Sequence, residues 1–135
     1  MYEFEIVSKI VGKGRPRLNS YTGVVYTPTR TKDYEELVKQ SFLISNPGAK
    51  MLDKRVRIEI IAYFCVPNSA TKKQRKEMLD GKISPTKKPD IDNIVKIILD
   101  SLNGFVILDD TQVTSLVVEK IYGLEEKVYV KIEEY

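Results

Sequence analysis

The chain has 135 residues, 42% of them hydrophobic, with a formal net charge of +3, one cysteine and no histidine. That length suits one domain with one core, because two independent domains of this size would each be marginal. The single Cys65 excludes an internal disulfide, and the lack of histidine excludes Ser-His and Cys-His nucleophile pairs, imidazole bases and imidazole-built zinc sites.

Any catalysis must therefore come from carboxylates, lysine or a metal held by oxygen. Cys65 sits in the apolar run IEIIAYFCV, which predicts a buried thiol in a reducing compartment. No apolar run approaches the ~18 residues that span a bilayer, and MYEFEIVSK lacks a charged-then-apolar signal pattern. The expectation is a cytoplasmic protein with no membrane partner.

In chain order, YEFEIVSKIVG alternates apolar and charged residues around Phe4, Ile6 and Ile10 and predicts a strand with one wet face. The arm KGRPRLNSYTGVVYTPT is rich in Gly, Pro, Ser and Thr and predicts a long loop with a short extended piece at Val24 to Tyr26. TKDYEELVKQSFLIS places Tyr34, Leu37, Val38 and Leu43 at helical intervals, and Asn46-Pro47-Gly48 stops it. From Val56, VRIEIIAYFCVP is a β-branched and aromatic strand, central in the sheet. Thr71 with Gln74 offers a capping box for a short basic helix that Gly81 ends.

From Asp90, the residues Ile91, Ile94, Val95, Ile98 and Leu102 fall on one helical face, with Asn103-Gly104 as the stop. FVILDD then predicts a short strand, VTSLVVEKIYG a longer one, LEE a turn and KVYVKIEEY a last alternating strand. The order indicates an α+β or mixed α/β layer fold, a single small sheet with helices packed against it.

Charge is unevenly spread. From Lys9 to Lys32 the charged residues are Lys9, Lys13, Arg15, Arg17, Arg30 and Lys32, with no acid. A second cluster, Lys72, Lys73, Arg75, Lys76, Lys82, Lys87 and Lys88, is offset only by Glu77 and Asp80. Such asymmetry indicates a polyanionic partner, the alternative being a solvated face.

Against this basic background stand two acidic pairs, Asp90 with Asp92 and Asp109 with Asp110. A helix climbs about 16 Å from Asp92 to Asn103 at 1.5 Å per residue. An antiparallel strand returning from Gly104 to Asp110 covers about 20 Å at roughly 3.3 Å per residue. The near-equal lengths predict that Asp110 returns to Asp90 and Asp92, giving a carboxylate cluster fit for magnesium, an octahedral cation with a preference for oxygen. Asp90 and Asp92 can converge only at a helix start, which Pro89 favours. Lys96, one turn beyond Asp92, can then stabilise charge on a transferring phosphate. Each residue also has a plainer reading: Asp90 as an N-cap, Asp92 as a helix-dipole partner, Lys96 as an i,i+4 partner of Asp92 and Asp100. A lone Asp-x-Asp is weak, and the later residues of an EF-hand loop are missing.

KKPDIDNIVKIILDSLNG, followed by VILDDTQV and EKIYG, resembles the signature of RusA-type crossover junction endodeoxyribonucleases, the Holliday-junction resolvases. The arm KGRPRLNSYTGVVYTP is similar to the family's basic N-terminal loop. The resemblance implies that Asp90, Asp92 and Asp110 are the catalytic, magnesium-binding acids, with manganese as a substitute ion, and that Lys96 is the catalytic lysine. Asp109 and Asn93 are implied in supporting roles. It also implies a homodimer that cuts opposed strands of a four-way DNA junction. Lys13, Arg15, Arg17, Lys72, Lys73, Lys87 and Lys88 are the expected DNA contacts. Pro89 stands where some members carry an arginine. The competing readings are a non-catalytic DNA-binding module with structural acidic caps, and an interaction protein with an acidic docking patch.

Overall fold

The computed structural model describes residues 1–14, 16–26 and 28–135; Arg15, expected to contact DNA, lies outside the described residues. The first strand, β1 (Tyr2–Val7), turns Phe4 and Ile6 inward and Glu3 and Glu5 outward. The arm that follows forms a two-stranded antiparallel ribbon, β2 (Arg17–Leu18) with β3 (Val25–Tyr26). Helix α1 (Thr29–Ser45) buries Thr31, Tyr34, Val38 and Phe42 at the 3- and 4-residue spacing of one helical face. Leu43, expected on that face, is exposed, because it lies one position past the stripe.

Strand β4 (Val56–Cys65) is central as expected, with β5 (Val113–Gly123) parallel on one side and β6 (Lys127–Glu134) antiparallel on the other. The sheet order is β1-β6-β4-β5. Val56, Ile58, Ile60, Ala62 and Phe64 all face the core, so the alternation puts Cys65 on the opposite face, where its thiol is exposed and not buried. With β1 and β6 supplying Phe4, Ile6, Val128, Val130 and Ile132 to that same face, the core lies between the sheet and α1 with α3 (Ile91–Leu102). The outer face carries cross-strand ion pairs, Lys127 with Glu5 and Arg57 with Glu133. The architecture is α+β, a mixed four-stranded sheet with helices against it.

Between β4 and α3 runs α2 (Lys72–Leu79), whose capping box is formed in both directions between Thr71 and Gln74. It buries none of its residues, so its lysines face solvent. Helix α3 buries Ile94, Ile97, Ile98, Ser101 and Leu102; Ile91, expected on the buried face, is exposed, and Ile97, not expected there, is buried.

One expected element is absent. The segment after α3 is a turn and not a strand: the amides of Phe105 and Val106 return to the Leu102 carbonyl, and Gly104 has φ +72°. Val106 and Ile107 are apolar and β-branched because they are buried in that turn beside Leu52, not because they pair along a sheet. The strand that doubles back along α3 is β5, which begins only after Asp110.

Candidate active site

Asp90 is the N-terminal boundary residue of α3, extended at φ −66° and ψ 153°, yet its side chain makes no capping bond. Asp92 lies in the first turn and is exposed. Among the described residues neither carboxylate forms an ion pair. Lys96, one turn on, is exposed on the same face. Asn93 lends its backbone, its carbonyl accepting from the Lys13 amide at 3.0 Å.

The arm is pressed onto this helix start. A Cβ on Gly12 would sit 2.8 Å from the Pro89 Cβ and 3.1 Å from the Asn93 Cβ. Both neighbours are fixed by ring or helix, so neither can yield as a flexible chain end would. Gly12→Ala is expected to lift the arm at a cost of about 1–3 kcal/mol, read as a lower denaturation midpoint; an unchanged midpoint would mean that the arm is not held here.

Lys13 does not face solvent. Its ammonium lies 2.8 Å from Glu35 Oε1 and 3.1 Å from Asp100 Oδ2, with 18% of its side chain exposed. Burial alone would lower its pKa, but the hydrogen bonds and charges of Glu35 and Asp100 outweigh that and raise it, so the ammonium stays charged. It locks the arm to α1 and α3. Among the described residues, the cations left beside Asp90 are Lys9, Arg17, Arg30 and Lys88, which with Asp90 and Asn93 line a groove of about 460 Å³. Lys9 and Arg30 were visible as arm charges, but only the fold shows that they face the helix start. Lys87 sits above the Phe64 ring, and Lys72 and Lys73 are on α2.

Asp109 and Asp110 stand at the other end of α3. Asp109 precedes the 3-10 turn Asp110–Gln112, and Gln112 ties that turn to the carbonyls of Leu52 and Lys54 at 3.1 and 2.7 Å. The hydrogen bond between the two carboxyls holds Asp109 below and Asp110 above the usual carboxylate value; the charges of Asp109 and Asp100 add to the rise at Asp110. Asp100 is two turns from Asp92, about 12 Å along the axis. Asp90, Asp92 and Asp110 therefore do not converge: among the described residues no three of His, Cys, Asp and Glu form a metal-sized group. The missing strand is the reason.

The residues present still fit a hard divalent cation at the helix start. Magnesium is usually held by one or two carboxylates, with waters and substrate phosphate completing its shell. Asp90 and Asp92 supply two carboxylates without an ion pair among the described residues, all their donors are oxygen, and cations for phosphate line the adjoining groove.

A family model described as "Endodeoxyribonuclease RusA" matches residues 8–133. An uncharacterized protein of Bacillus subtilis (strain 168), YqaN, is 32% identical over 136 residues, covering 98% of this chain and 95% of the relative. No helix among the described residues is long and apolar enough to cross a membrane.

Proposed function

Because this chain belongs to the RusA family of endodeoxyribonucleases, we propose that it is a magnesium-dependent, structure-selective nuclease that resolves four-way DNA junctions by paired nicks. The observation that carries the reading is the start of α3: two exposed carboxylates without an ion pair among the described residues, and a lysine one turn on, beside a cation-lined groove.

Asp90 and Asp92 hold the ion. When bound, the ion would polarise the phosphate and activate a water, in a chain that has no histidine base. Lys96 offers its ammonium to the charge that builds on the phosphate and its leaving oxygen. Lys9, Arg17, Arg30 and Lys88 hold the flanking phosphates, Lys87 extends that track, and Lys72 and Lys73 contact a neighbouring arm of the junction. Asp110, with Asp109 in support, is proposed as a further acid on the family resemblance alone, since among the described residues of one chain it is not grouped with Asp90 and Asp92. A two-fold homodimer gives two identical sites for two symmetric cuts.

The test is a labelled four-way junction incubated with and without magnesium, beside a linear duplex of the same sequence. Paired nicks in the junction alone, and only with the ion, are expected. Salt-sensitive binding with no cleavage in either state would return the non-catalytic DNA-binding reading.

A further inference from the structure

Lys120 occupies an unusual place. In β5 the residues Leu116, Val118, Lys120 and Tyr122 are in register with Ile58, Ile60, Ala62 and Phe64 of β4, so a lysine stands in the row that faces the core. Its ammonium lies 5.1 Å from the centre of the Phe64 ring and donates to the Lys87 carbonyl at 2.6 Å. That bond spans 33 residues.

The carbonyl it holds matters because of the segment that contains it. Residues 84–89 deliver the chain to Asp90, and among the described residues no backbone hydrogen bond ties them to the rest of the fold. The Lys120 bond is the polar anchor on the sheet side, opposite the contact of Pro89 with Gly12. A methionine there would cover Phe64 equally well, so packing alone does not call for a lysine.

We propose that Lys120 is a positioning residue: by gripping the Lys87 carbonyl it fixes the segment that sets the directions of Asp90 and Asp92. It acts through the backbone and touches neither ion nor DNA. The idea rests on the nuclease reading for its consequence, though not for its geometry.

Two readouts on Lys120→Met separate the two. Amide hydrogen exchange should rise across residues 84–93 and stay at the wild-type level elsewhere, with the melting temperature preserved. Cleavage should fall about 10–100-fold, as when the outer partner of a metal ligand is removed, with more magnesium needed for half-maximal rate. Lys120→Arg, which keeps a donor, should restore most of both. Unchanged exchange in 84–93 would overturn the proposal. A stability loss spread over all amides would make Lys120 a packing residue and overturn it too. If the wild-type protein fails to cut while exchange rises locally in the variant, the nuclease reading falls and the positioning role stands.

Discussion

Asp92→Asn is expected to lower junction cleavage about a thousandfold while leaving junction binding intact. The amide keeps the size of the carboxylate but loses the charge, and charge stabilisation by a bound ion is worth several kcal/mol, each 1.36 kcal/mol being a factor of ten. Asp92 is exposed, so the variant should fold as well as the wild type. Binding should persist because it rests on groove cations that the substitution leaves in place. Asp110→Asn is the companion measurement. An equal loss would mean that both ends of α3 serve one reaction; full activity would confine the chemistry to the helix start.

Phe42→Ala should have the largest effect on the fold. Phe42 is 3% exposed and makes edge-on ring contacts with Tyr2 at 5.3 Å, Phe4 at 5.4 Å and Phe105 at 6.0 Å. One side chain thus joins α1, β1 and the turn that delivers Asp109 and Asp110. Truncation should cost about 3–5 kcal/mol from lost transfer energy and the cavity left behind. For a domain of this size that lowers the melting temperature by roughly 10–20 °C. A shift of only a few degrees would show that the site collapses around the void and that the aromatic cluster is not a structural pivot.

Much of this architecture is legible in the residues because it is written in local rules. The Thr71–Gln74 capping box needs four neighbouring residues, and both of its bonds form. Helix α3 follows from its apolar spacing, and the alternation of β4 from its β-branched run, although Cys65, expected to be buried, falls on the outer face.

What the sequence conceals is non-local. Phe105 to Leu108 look like a strand because buried turns and buried strands draw on the same apolar residues; the difference lies in Leu52, some fifty residues away. That one misreading moves Asp110 from one end of α3 to the other. Lys13 reads as a DNA contact because its partners, Glu35 and Asp100, lie on different helices. The candidate ion ligands Asp90 and Asp92 were legible from proline, helix start and spacing; the lysine that steadies them is not, since its bond runs to a backbone carbonyl 33 positions away.

The central claim is that the helix start, and not another acidic surface, seats a divalent ion. A crystal soaked in manganese and recorded at the manganese absorption edge tests it most directly. The account predicts an anomalous peak against the carboxylates of Asp90 and Asp92, lost in Asp92→Asn. A peak that leaves both carboxylates free, or survives that substitution unchanged, contradicts it.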